Sequence, residues 1–78
     1  MAMAKAVALL RARQLSLSGE GKRIREKAGI SQATVAADIG TCPAAISHWE
    51  NGHRRPSGDS GIRWLELLDQ LKQLDGPQ

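Results

Sequence analysis

Phenylalanine and tyrosine are absent from this 78-residue sequence, and two tryptophans are its only large aromatic residues. Proteins that bind RNA or single-stranded DNA stack bases on exposed aromatic rings, so the composition argues against both classes. The apolar run near the N-terminus covers only residues 6–10, which is too short to span a bilayer. We therefore expect no contact with a membrane.

Cysteine is almost absent as well. The single residue, Cys42, excludes an internal disulfide and is typical of a reducing cytoplasm, where we expect the protein. A metal site built on Cys42, His48 and His53 would lack a fourth ligand. A small residue in a helix-capping position is a better interpretation of Cys42 than a redox-active thiol, although the redox alternative stays open.

Catalytic patterns are also missing. The chain has no Ser-His-Asp order, no paired carboxylates for acid–base chemistry and no glycine-rich phosphate loop. We predict that the protein is not an enzyme and that it uses neither a cofactor nor a metal.

Basic residues are concentrated in the first three quarters of the chain. Residues 1–58 carry nine Lys and Arg against four acidic residues, a net charge of +5, whereas residues 59–78 carry −2. The length allows one domain with a small core, and a hydrophobic content of 41% argues against disorder. A small domain with a basic region is typical of proteins that bind polyanions.

Residues 31–52 predict two short helices joined by a tight turn. Ser31 suits the N-cap of the first helix, and Gly40 suits a left-handed residue at its end. Pro43 suits the first position of the second helix, and Gly52 suits its end. Two capped helices with a glycine turn form a helix-turn-helix unit.

The second of these helices divides into two faces at about 100° per residue. One arc is small or polar and offers hydrogen-bonding groups to a DNA groove, while the other arc is mostly apolar and should face the core. The first arc contains Pro43, Ala44, Ser47, His48 and Asn51, and the second contains Ala45, Ile46, Trp49 and Glu50. An ordinary solvated face is the alternative, but the turn geometry and the flanking basic residues favour DNA.

Two further helices are predicted before this unit. Residues 3–15 are rich in helix formers, with Val7, Leu10 and Met3 on one side and Leu15 near the end. Ser18 suits the cap of a second helix over residues 19–28, whose buried side is marked by Ile24 and Ala28.

A leucine-rich helix closes the chain. It covers residues 61–74, is capped by Asp59 or Ser60, and is followed by a tail over residues 75–78. Its apolar residues form two stripes, one of Ile62, Leu65 and Leu68 and one of Trp64, Leu67, Leu71 and Leu74. Because the second stripe has the spacing of a coiled-coil seam, it predicts a dimer contact, with packing inside a monomer as the alternative.

Residues 25–56 resemble the phage-repressor-type helix-turn-helix family, also called the Cro/C1 or XRE family. They read R-E-K-A-G-I-S-Q-A-T-V-A-A-D-I-G-T-C-P-A-A-I-S-H-W-E-N-G-H-R-R-P. The specific points of likeness are G-I-S-Q, V-A-x-x-I-G, I-S-x-W-E-N-G and R-R-P. The resemblance implies an all-α, lambda-repressor-like bundle of four to five helices that docks one helix in the major groove.

The resemblance also assigns roles to individual residues. Base-facing positions fall on Pro43, Ala44, Ser47 and His48; phosphate-contacting positions fall on Gln32, Asn51, Arg54 and Arg55; a structural salt bridge falls on Arg25 and Glu50. Family members often have Gln, Arg or Ser where this chain has Pro43 and Ala44, whose side chains form no hydrogen bond to a base. His48 is therefore the main candidate for polar base readout.

We expect an N-terminal helix or arm over residues 1–18 and a DNA-binding domain over residues 19–74. The function predicted from the resemblance is a transcriptional regulator of the repressor type, from a phage or prophage, that binds double-stranded DNA sequence-specifically. An antitoxin or adaptor that binds a partner protein through its terminal helices is the alternative. A homodimer is compatible with both.

Overall fold

The computed structural model describes residues 4–74, and within this range every regular element is an α-helix. In chain order these are α1 (Lys5–Ser18), α2 (Glu20–Ala28), α3 (Gln32–Ile39), α4 (Pro43–Glu50) and α5 (Gly58–Leu74). The prediction of an all-α bundle of four to five helices is confirmed. Residues 1–3, with the predicted contribution of Met3, and the predicted tail 75–78 lie outside the described range.

Helix α1 packs through its small residues. Ala8 and Ala12 are buried in the core, whereas Val7 and Leu10 are 49% and 61% exposed. The sequence placed Val7 and Leu10 on one side of α1, and in the structure this side is exposed. Small side chains allow the backbone of α1 to approach its neighbours closely, so the alanine face is buried, while Leu15 packs half-buried against the core.

The same helix continues past the residue predicted to end it. Ser16, one turn beyond Ala12, is buried, and its hydroxyl donates a hydrogen bond to the carbonyl oxygen of Trp49. This bond attaches the end of α1 to the end of α4. The helix stops only at Gly19, whose φ of 77° is left-handed.

Helix α2 approaches α5 at a glycine. A Cβ atom added to Gly21 would lie 2.8 Å from Cζ2 of Trp64, closer than real contacts allow. Ile24 packs against the core as predicted, but Ala28 is exposed, which contradicts its predicted burial. The backbone at Gly21 therefore replaces Ala28 as the second point where α2 meets the core.

The turn between α3 and α4 has the predicted chemistry. Ser31 Oγ accepts a hydrogen bond from the backbone N–H of Thr34 at 3.0 Å, and Gly40 has a φ of 79°. Pro43 occupies the first turn of α4. These two ends and the short connection between them set the angle at which α4 leaves α3.

Residues from α1, α3, α4 and α5 form one core. Within it the rings of Trp49 and Trp64 pack against each other with a centroid distance of 5.5 Å and an interplanar angle of 57°. The largest fully buried side chains are Trp64, Ile46, Leu65, Leu68 and Val35.

Helix α5 differs from its prediction at two points. It begins at Gly58, so Asp59 and Ser60 lie inside its first turn and do not cap it. Trp64 is 1% exposed, so it packs inside the monomer and is not available to the predicted dimer seam. Leu67 and Leu71 are half-buried and Leu74 is exposed.

None of the five described helices has the length and apolar character needed to cross a bilayer.

Candidate nucleic-acid interface

Helix α4 turns its polar arc outward. Ile46, Trp49 and Glu50 are buried on one side of the helix. On the other side Pro43 and Ala44 are exposed and Ser47 and His48 are half-buried. Because the outward arc has no large apolar side chain, a nucleic-acid groove can approach the backbone of α4 closely.

Asn51 extends this arc beyond the last turn of α4. Its Nδ2 donates to the carbonyl oxygen of Ser47 at 2.8 Å and lies 3.4 Å from the Ser47 hydroxyl. The spacing of four residues places both side chains on one face, and the hydrogen bonds orient the amide of Asn51 there. Ser47 and Asn51 thus form one polar patch.

The loop after α4 folds back onto that helix. The backbone N–H groups of His53 and Arg54 both donate to the carbonyl oxygen of His48, at 2.9 and 3.4 Å. The imidazole rings of His48 and His53 lie 6.2 Å apart between centroids. Pro56, which follows Arg55, is buried and anchors the far end of the loop.

This loop adds positive charge beside the polar arc. Arg54 and Arg55 are both exposed, and they follow His53 directly in the chain. Exposed guanidinium groups are suited to phosphate oxygens. We did not identify His53 as a site residue from the sequence, although its position between the end of α4 and the two arginines was a signal that could have done so.

A buried carboxylate joins the helix-turn-helix unit to α2. The Glu50 side chain is completely buried and receives two hydrogen bonds from Arg25, from Nε to Oε2 and, at 3.0 Å, from Nη2 to Oε1. Arg25 also donates from Nη1 to the carbonyl oxygen of Ile30 at 2.9 Å. The bond with Glu50 raises the pKa of the Arg25 guanidinium above its ordinary value.

Gln32 belongs to the same network. Its Nε2 donates to Oε1 of Glu50 at 3.0 Å, so the side chain is held at the first position of α3. A phosphate contact from Gln32 would have to use its remaining amide hydrogen or the backbone at this helix end. We did not foresee the contact between Gln32 and Glu50 from the sequence.

The structure thus divides the predicted site residues into two groups. One group lies on or beside the outward arc of α4, and it consists of Pro43, Ala44, Ser47, His48 and Asn51, followed by the exposed Arg54 and Arg55 in the loop whose backbone bonds to His48. The other group is Gln32 and Arg25, which both bond to the buried carboxylate of Glu50.

No metal site is formed by the described residues. Cys42 is exposed and free at the N-cap of α4, and residues 4–74 contain no cluster of three metal-binding side chains.

Comparison with protein families connects this geometry to known proteins. A family model described as helix-turn-helix, HTH_3, matches residues 22–71, which is more than half of the chain. Comparisons with curated proteins and with solved structures gave no significant match. The matched range begins at Lys22 in α2, includes both helices of the helix-turn-helix unit and ends at Leu71 in α5. The chain therefore belongs to the XRE-type helix-turn-helix family of DNA-binding transcriptional regulators.

Proposed function

We propose that this protein is a sequence-specific repressor of the phage or prophage type that inserts α4 into the major groove of double-stranded DNA. The observation that carries the proposal is the outward arc of α4, whose side chains are small or polar, followed by a loop with two exposed arginines. An α-helix with such a face fits the width of the major groove, and the arginines fit the flanking phosphates.

Two groups of residues have different tasks in this proposal. Ser47 and His48 carry the hydrogen-bonding groups of the base-facing arc, and Pro43 and Ala44 are suited to contact with thymine methyl groups. Gln32, Asn51, Arg54 and Arg55 contact phosphates and set the register of the helix. Because the side chains of Pro43 and Ala44 form no hydrogen bonds with base edges, the shape of the DNA contributes to the choice of binding site.

We further propose that two copies bind a palindromic operator. One helix-turn-helix unit covers only one half-site, and a dimer places two such helices about one helical turn apart on the same side of the duplex. Trp64 takes no part in the dimer contact because it is buried in the monomer. Leu67, Leu71 and Leu74 remain available for it.

The test is selection from a random duplex library, followed by footprinting on the selected DNA at several salt concentrations. We expect protection of two related half-sites with a centre-to-centre spacing of about 10 base pairs. Binding that is weak, falls steeply with salt and shows no preference over scrambled duplex would contradict the proposal. It would favour the alternative of an antitoxin or adaptor with a protein partner.

A further inference from the structure

Helix α1 presents an apolar stripe to solvent. Its apolar members are Val7, Leu10 and Leu17, which are 49%, 61% and 65% exposed. Together with Gln14, which is also exposed, they occupy positions that are three, four and three residues apart. We call these four residues the α1 stripe. Apolar side chains at this spacing follow one line along a helix, as they do in a coiled-coil seam.

The α1 stripe is not part of the domain core. At about 100° per residue, its centre lies about 180° around the helix from the buried face formed by Ala8, Ala12 and Ser16. The family model begins at residue 22, so the whole of α1 precedes the matched region. Helix α1 therefore packs into the core with one face and leaves the opposite, apolar face exposed.

Charge restricts what that molecule can be. Helix α1 contains Lys5, Arg11 and Arg13 and no acidic residue. Arg11 and Arg13 lie on opposite flanks of the stripe, each about 80° from its centre. Arg11 also pairs with Asp69 of α5 at 3.3 Å, and both side chains are partly exposed. Two copies of α1 laid against each other would bring like charges together, which disfavours a self-contact.

We propose that the α1 stripe docks an acidic amphipathic helix of another protein. Such a helix covers Val7, Leu10 and Leu17 with its own apolar seam and places a carboxylate beside Arg13, while Arg11 keeps its pair with Asp69. A membrane surface is less well matched, because an interfacial helix has a strongly charged face opposite its apolar face, whereas the face of α1 opposite the stripe is the small, buried face of Ala8, Ala12 and Ser16.

The position of the stripe gives the docked partner a place next to the candidate DNA interface. A Cβ atom added to Gly52 would lie 3.7 Å from Cδ2 of Leu17, so one end of the stripe borders the end of α4. A partner bound along α1 would adjoin the basic loop. The docking itself needs no DNA, so it can be tested separately from the proposed function.

The probe is a designed peptide of about three heptads with leucine at the a and d positions and glutamate at e and g. The glutamates keep the peptide from pairing with itself. Its binding to the full chain is measured by isothermal titration calorimetry in the absence of DNA. A matched peptide with lysine in place of every glutamate tests the role of charge.

We expect saturable one-to-one binding of the glutamate peptide and binding at least about tenfold weaker for the lysine peptide. Leu10→Ser should weaken the binding by about tenfold or more, because it removes a central apolar contact. Gln70→Ser is the matched control, since Gln70 is exposed on α5 and belongs neither to the α1 stripe nor to the proposed dimer contact. Arg13→Glu should reduce the preference for the glutamate peptide, because it replaces one of the basic residues of α1 by an acidic one.

Three outcomes would overturn the proposal. Equal binding of both peptides would show that charge has no role. A homodimer in light scattering that Leu10→Ser dissociates and Leu74→Ser preserves would assign the stripe to a second copy. Binding to phosphatidylglycerol vesicles that depends on Leu10, without binding of the glutamate peptide, would assign it to a membrane surface.

Discussion

Arg25 and Glu50 face each other between α2 and the end of α4, joined by two hydrogen bonds to the two oxygens of one carboxylate. The Glu50 side chain has no exposed surface and the Arg25 side chain has 11%. Each charge depends on the other, because an unpaired charge at this depth loses its hydration without compensation. Since Gln32 bonds to the same carboxylate, the pair also connects α3 to α4.

Replacing Glu50 by alanine should therefore destabilise the fold severely. Removing one partner of a buried ion pair costs about 3 to 5 kcal/mol, which is a large fraction of the stability of a small domain. Urea unfolding followed by circular dichroism measures the loss. Glu66→Ala is the control because Glu66 is exposed on α5. Equal unfolding midpoints for the two variants would show that the pair does not stabilise the fold.

Gly21→Ala should also destabilise the protein. Alanine is favoured over glycine in a helix by about 1 kcal/mol, but its Cβ would lie 2.8 Å from the Trp64 ring. Overpacking of this kind costs about 1 to 3 kcal/mol, so we expect a net loss. Lys22→Ala, at the next and exposed position of α2, is the control. A higher unfolding midpoint for Gly21→Ala than for the parent chain would mean that Trp64 moves away freely.

Replacing Arg54 and Arg55 by alanine should weaken DNA binding on every sequence alike. The logarithm of the binding constant falls linearly with the logarithm of the salt concentration, and each phosphate contact contributes about −0.9 to this slope. The double variant should therefore have a slope that is less negative by about 2. Fluorescence anisotropy over a range of salt concentrations measures this slope. Lys72→Ala removes an exposed positive charge far along α5 and should leave the slope unchanged. A parallel decrease in both variants would contradict a specific role for the loop.

His48→Ala should change the preferred sequence rather than the overall affinity. A polar contact to a base edge discriminates by about 1 to 3 kcal/mol at one position of the site. Selection with the variant should relax the preference at one base pair of each half-site, while the affinity for unrelated duplex stays the same. His53→Ala is the matched control, because its ring lies beside His48 but in the loop. An unchanged selected sequence would remove His48 from base readout.

Local chemistry made the helix-turn-helix unit predictable. Ser31, Gly40 and Pro43 each act within a few residues of their own position, so the caps and the turn follow from short-range preferences. The division of α4 into a polar and an apolar arc also followed from spacing alone. The resemblance implied the pairing of Arg25 with Glu50, and these two side chains are bonded in the structure.

Helix α1 shows where such reasoning fails. Its apolar residues surround much of the helix, and their spacing placed Val7 and Leu10 on one side without showing which side is buried. The structure buries the side with Ala8 and Ala12, because small side chains let the helices approach closely and close packing stabilises the core more than burial of one larger side chain does. The same holds for Ala28 and Gly21 on α2, where the ring of Trp64 leaves room for a glycine only.

By itself, then, the sequence determined the helical class, the turn between α3 and α4, the face that α4 turns outward and the family to which the chain belongs. Each of these depends on residues close together along the chain, and local preferences act without reference to the rest of the fold. Only the tertiary structure decided which face of α1 is buried, that Trp64 belongs to the core and that Gln32 is bonded to Glu50. These depend on how distant helices pack, and several packings satisfy the same apolar pattern until the volumes of the facing side chains select one.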